Sequence, residues 1–102
     1  MDDFEKHLAE QLETDPEFKK VWEEMRPIRE FQHALIRARL EAGLTQEELG
    51  KLMGMEQSAI ARIERGSHLP NLETILRLAE ALKIEVTIRP DRSIAITQHK
   101  AA

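Results

Sequence analysis

The stretch from Leu44 to Gly66, LTQEELGKLMGMEQSAIARIERG, constrains the fold of this chain more than any other part of it. Leu49, Leu52 and Met53 recur at helical spacing, and Ala59, Ile60 and Ile63 do so again after a short break at Gly54. Thr45 and Glu48 have the spacing of a capping box, in which the hydroxyl accepts from the Glu48 amide and the carboxylate reaches back to the Thr45 amide. The first helix is therefore expected to start after Thr45, to bury Leu49, Leu52 and Met53, and to close at Gly54. The second is expected to end at Gly66 in a left-handed cap. Gly50 and Ala59 are small enough for a close crossing of the two. Two short helices joined by a tight turn read as a helix-turn-helix. In that motif the second helix enters the major groove and its first side chains meet base edges. Here those side chains are Gln57 and Ser58, and a glutamine amide, which both donates and accepts, matches the N6/N7 edge of adenine.

The flanking sequence supplies more helices and then changes period. Phe31, Leu35, Ile36 and Leu40 mark a helix closed by Gly43, and Asn71 is a good N-cap for a helix carrying Leu72, Ile75, Leu76, Leu78, Ala79 and Leu82. Upstream, Phe4, Leu8 and Leu12 form a short apolar stripe. Asp15 and Pro16 then start a helix with Phe18, Val21, Trp22 and Met25 on one face, and Pro27 kinks or breaks it. After Leu82 the period falls to two. Ile84, Val86 and Ile88 alternate with polar residues, Pro90-Asp91-Arg92 suits a turn, and residues 93–97 suit a second strand with Ile94 and Ile96 on one face. A lone hairpin is marginal in water. Pairing with the same strand of a second chain would cover its face and occupy its edge, which makes Ile84, Val86 and Ile88 the expected dimerisation residues.

Residues 31–82 resemble the Cro and phage-repressor class of helix-turn-helix proteins, through Leu44-Thr45-Gln46-Glu47 and through Met53-Gly54-Met55 with Gln57-Ser58. The resemblance implies a mainly α, lambda-repressor-like domain over residues 31–83. An acidic N-terminal helical extension would occupy 1–30, a β-strand or hairpin used for dimerisation 84–97, and a tail 98–102. It further implies that Gln46 binds a DNA phosphate and braces Gln57, and that Gln57 and Ser58 read bases. Ala61 and Arg62 would face the same groove, and Arg39 and Glu64 would form a structural ion pair. Arg65 lies on the same helix and is a phosphate candidate with Arg62; Lys51 and His68 are weaker ones, since solvated surface cations and loop histidines are common. Glu56 departs from the pattern by placing an acid at the DNA-facing end of the second helix.

The wider layout is similar to HigA-type antitoxins: an acidic leader carrying DPEF and then RP, the repressor-like domain, and a strand written EVTIRP. That similarity implies a homodimer on a palindromic operator in double-stranded DNA, autorepression, and a small basic ribonuclease toxin as partner. A stand-alone regulator with the same domain is the alternative.

Charge bears on both. The formal net charge of −4 argues at first against a nucleic-acid binder. Residues 1–24, however, hold nine acids against three bases, a net of −6, and the remainder is +2. The leader is thus the acidic part, either as a solvated helix surface or as a second binding surface. Phe18, Trp22 and Met25 are candidates for that surface or for packing on the chain's own core. The absence of cysteine removes disulfides and thiolate chemistry. His7, His33, His68 and His99 are scattered, and one Glu30-x-x-His33 pair is too little for a metal site. Neither a phosphate loop nor a nucleophile with its base is present, so no enzyme and no cofactor are expected. With no membrane-spanning run, the expected location is cytoplasmic.

Overall fold

The computed structural model describes residues 3–98, so His99 and most of the expected tail lie outside the described residues. Six helices precede a hairpin: α1 Asp3–Thr14, α2 Pro16–Glu24, α3 Arg26–Glu41, α4 Gln46–Met53, α5 Gln57–Arg65, α6 Leu72–Leu82, β1 Ile84–Ile88 and β2 Ile94–Gln98. The helix starts follow local chemistry. Asp15 accepts from the Phe18 amide, Thr45 and Glu48 form both halves of a capping box, and Asn71 accepts from the Thr74 amide. Pro27 sits in the first turn of α3, where its missing N–H costs nothing.

The core gathers Phe31, Leu35 and Ala38 from α3, Leu49 and Met53 from α4, and Ile60 from α5. It also takes Ile75, Leu78 and Leu82 from α6 and Ile84 and Ile94 from the hairpin. Each fully buried Leu, Ile or Phe contributes about 1.5–3 kcal/mol, and Phe31, Leu35, Leu49, Ile60 and Leu78 are all in that state. Leu52 was expected inside and is 61 % exposed. The cause is rotational. Gly50 rests on the turn before α5 and is buried, so the inner face of α4 turns toward Gly50 and Leu49, and Leu52 falls roughly 100° away from its centre. Leu40 is likewise exposed, because it lies across α3 from Phe31 and Leu35 while Ala38 takes the inner position.

Gly66 is also a correction. Its φ of −69° and ψ of 176° are extended, not left-handed. Glycine is required there by proximity, since a Cβ would lie 2.6 Å from the Arg62 carbonyl oxygen. The left-handed caps are instead at Gly43, Gly54 and, without glycine, Lys83 (φ 55°).

The C-terminal segment is a hairpin. β1 and β2 pair antiparallel, with Val86 opposite Ile96 and Ile88 opposite Ile94. The turn carries an Arg92 N–H to Arg89 carbonyl bond of 2.9 Å and places Arg92 at φ 73°. That is the three-residue hairpin loop in which a turn is followed by a left-handed residue. Ile84 and Ile94 face the helical core, so the chain itself supplies the cover that a lone hairpin lacks.

By contrast, α1 and α2 contribute no buried residue. The radius of gyration, 15.5 Å, exceeds the roughly 13 Å of an ordinary compact chain of this length, and the longest dimension is 47 Å. The leader projects, held at its base by Arg29. That guanidinium lies 3.6 Å from the Trp22 ring centre and donates to the Trp22 carbonyl at 2.9 Å.

Candidate nucleic-acid interface

Helices α4 and α5 meet through a turn built on two glycines. Gly54 adopts φ 67° and ends α4. Gly50 lets the turn close, because a Cβ there would lie 2.5 Å from the Met55 carbonyl oxygen, and the Met55 N–H bonds back to the Gly50 carbonyl at 2.8 Å. Arg77, on α6, donates to the Met53 carbonyl at the end of α4. The turn is thus held from a third helix, by a residue that no local pattern had marked.

A line of side chains runs from the core to the start of α5. Arg39 Nε donates to Glu64 Oε2 at 2.7 Å and Arg39 Nη2 to Glu64 Oε1 at 3.1 Å, while Nη1 caps the Leu44 carbonyl at 2.9 Å. The side chains of Arg39 and Glu64 are 11 % and 2 % exposed. Glu64 Oε1 also accepts from Gln46 Nε2 at 2.9 Å. Gln46 Oε1 in turn accepts from Gln57 Nε2 at 2.6 Å. The forked guanidinium matches the carboxylate with two parallel donors, and the carboxylate's remaining capacity orients the Gln46 amide. Gln57 is exposed yet tied to a buried ion pair in two steps.

The other candidates lie on α4, on α5 and in the loop that follows α5. Ser58 follows Gln57 in the first turn of α5, exposed. Ala61 is half-buried; Arg62 and Arg65 are exposed in the last turn, where cations favour the negative end of the helix dipole. His68 lies in the loop beyond, with its Nδ1 3.1 Å from Ser67 Oγ. Lys51 sits on α4, paired with Glu47 across one turn at 3.6 Å, both side chains largely exposed. Glu56 occupies the N-cap of α5 and makes no side-chain cap bond. Of the three strand residues expected at a dimer surface, Ile84 is taken up by the chain's own core. Val86 is half-buried, and Ile88 is 63 % exposed. Among the described residues no group of three or more His, Asp or Glu is placed to hold a metal ion, and no helix is long and apolar enough to cross a membrane.

Gln32 is a second residue that no local pattern had marked. From α3 it donates to the carbonyls of Ile63 and Gly66 at 3.2 and 2.8 Å, at the far end of α5. Only sequence separations of 31 and 34 residues connect these groups, so helical periodicity carries no sign of them.

Similarity to known proteins follows the same outline. A family model described as helix-turn-helix matches residues 35–88. Antitoxin HigA1 of Mycobacterium tuberculosis is 36 % identical over 81 residues, covering 79 % of this chain and 54 % of that protein. A Haemophilus influenzae protein described as an uncharacterized HTH-type transcriptional regulator is 43 % identical over 58 residues, covering 57 % of this chain and 59 % of its own length. The chain thus spans little more than half the length of these curated relatives. Among solved structures, a mutant of the restriction-modification controller protein C.Esp1396I shares the fold. Its TM-score is 0.52 at 24 % identity, over 57 % of this chain and 77 % of that one. With its paired short helices, glycine turn and ion-paired support all inside the matched segment, the chain belongs to the helix-turn-helix family of Cro and phage-repressor type.

Proposed function

We propose that the chain is a sequence-specific DNA-binding repressor that serves as the antitoxin of a toxin–antitoxin operon, repressing its own promoter and neutralising a ribonuclease toxin. The observation that carries the DNA reading is the line from Arg39 through Glu64 and Gln46 to Gln57. A side chain amide has two donor hydrogens and an acceptor oxygen. Gln46 takes one hydrogen of Gln57, which leaves one donor and the oxygen, the pair that the N7 and N6 groups of adenine require. Holding Gln57 in place also removes part of the ordering cost of binding. On this reading Ser58 and Ala61 meet neighbouring bases, and Gln46, Lys51, Arg62, Arg65 and His68 meet phosphates. Two copies on a two-fold axis would read half-sites about 34 Å apart or a multiple of it, with Ile88, and whatever of Val86 its packing on the core leaves open, as the strand residues for contact between copies.

The antitoxin reading rests on the leader. Residues 1–24 carry a net charge of −6, and α1 and α2 bury no side chain. Such a surface suits a basic partner. The relationship to a protein named as an antitoxin points the same way. A stand-alone regulator is the second reading, favoured by the relative described simply as a transcriptional regulator.

Selection of duplexes from a random pool by the purified protein tests the first part. Gln57→Ala and Ser58→Ala should each lose roughly 1–3 kcal/mol of preference for the selected site; unchanged discrimination would reject the readout. Deleting residues 1–24 tests the second. The truncated protein should keep DNA binding and lose a small basic protein encoded beside it, and the lack of such a neighbour favours the stand-alone reading.

A further inference from the structure

The last turn of α5 poses an accounting problem. A helix leaves its final four carbonyls without partners inside the helix, and a left-handed glycine usually turns the following amides back onto them. Gly66 is extended, so that device is absent. One amide, that of Gly66, returns to the Arg62 carbonyl at 2.6 Å. The Ile63 carbonyl and the Gly66 carbonyl are taken instead by Gln32, whose Nε2 offers two hydrogens to two acceptors at 3.2 and 2.8 Å. The cap of α5 is thus a side chain from another helix, partly buried and anchored one residue beyond the core residue Phe31.

That cap sits where position matters. The first turn of α5 is fixed by Gln46 through Gln57. Its last turn carries Arg62 and Arg65 and leads into Ser67 and His68. We infer that Gln32 is a positioning residue for DNA binding: it fixes the last turn of α5 and residues 66–68 so that Arg65 and His68 reach the phosphate backbone. It touches no DNA itself. The inference rests on the DNA reading above.

The test is a double-mutant cycle on the duplex that the wild-type protein enriches from a random-sequence pool. Gln32→Met keeps the length of the side chain and removes both donors. It should weaken binding about five- to twentyfold. Arg65→Ala, which weakens binding in the wild-type background, should have less than about a twofold further effect in Gln32→Met, because the arginine is already misplaced. Gln57→Ala, at the other end of the helix, should have the same effect in both. Gln32→Lys can donate to both carbonyls from the same place. It should restore the full effect of Arg65→Ala, and the cycle subtracts the affinity its added charge brings; this arm stands even where Gln32→Met folds poorly. Wild-type affinity in Gln32→Met overturns the inference. So does a loss in which Arg65→Ala and Gln57→Ala keep their wild-type effects, since that is general destabilisation. A wild-type protein that enriches no duplex overturns the DNA reading and this inference with it.

Discussion

Replacing Arg39 by Met keeps an apolar stem in place and deletes the guanidinium. Glu64 is then left with one donor, the Gln46 amide, in a site where its side chain is 2 % exposed. Breaking one partner of a buried pair costs about 3–5 kcal/mol. A domain of this kind has roughly 5–15 kcal/mol in total, so the variant should sit near the edge of folding. At about 4 °C per kcal/mol for this chain length, the melting temperature should fall by roughly 12–20 °C. Arg39→Met with Glu64→Leu removes both charges together and should be far closer to wild type than the two single losses added, because neither desolvated charge remains. Urea unfolding followed by circular dichroism measures all four proteins. The effect should persist in high salt, since a pair this enclosed is weakly screened. A loss under about 1 kcal/mol for Arg39→Met, or a double variant as unstable as the summed singles, would refute the reasoning.

Three further outcomes follow from particular backbone and charge positions. Gly50→Ala gains helix propensity of about 0.5–1 kcal/mol but puts a Cβ 2.5 Å from the Met55 carbonyl oxygen; overpacking should win by roughly 1–2 kcal/mol in urea unfolding. Lys83→Gly should stabilise by on the order of 1 kcal/mol, because a left-handed φ of 55° is strained for lysine and open to glycine; a lower midpoint would contradict it. Glu48 is held below the usual carboxylate value of 4.5 by the Thr45 backbone bond first and by the Thr45 hydroxyl second. Its contribution is therefore present above the unfolded carboxylate value and is lost as pH falls through the lowered folded one. Glu48→Gln should show a flatter stability profile across that acidic range, by thermal melts at a series of pH values.

What the sequence reveals about this fold depends on how far a signal reaches. Caps are read within four residues, which is why Asp15, Thr45 with Glu48, Gly54 and Asn71 mark helix ends correctly. Burial is harder. Leu52 fits the period of α4 as well as Leu49 does, and only the approach of α5 at Gly50 decides between them. Gly66 shows the same limit, since a glycine after a helix suggests a positive φ and here answers a close carbonyl. Glu64 was legible only through the resemblance, because its partner Arg39 is 25 residues away. Gln32 and Arg77 had neither local pattern nor resemblance to mark them, and both cap helices other than their own.

The structure also changes what charge is asked to do. Residues 31–71 balance five bases against five acids. Arg39 is consumed by Glu64, and Lys51 is shared with Glu47. Arg37 shares a shallow surface hollow with Glu41 and the β2 residues Ile96, Thr97 and Gln98. Only Arg62 and Arg65 then stand on α5 with no ion pair among the described residues. If Arg62 and Arg65 carry the phosphate contacts, with the exposed Lys51 as a third, each chain neutralises about two or three charges, and binding should fall with salt at a logarithmic slope of roughly −2 to −3 per chain. A strongly basic protein would lose affinity far more steeply. With so little general attraction, discrimination has to come from placement. On the proposed reading, that is what holding α5 at both ends would serve, by Gln46 at its start and Gln32 at its finish. The acid that gives the chain its net charge lies in a leader that buries no residue in this core, so the balance of charge that matters for α5 is that of residues 31–71.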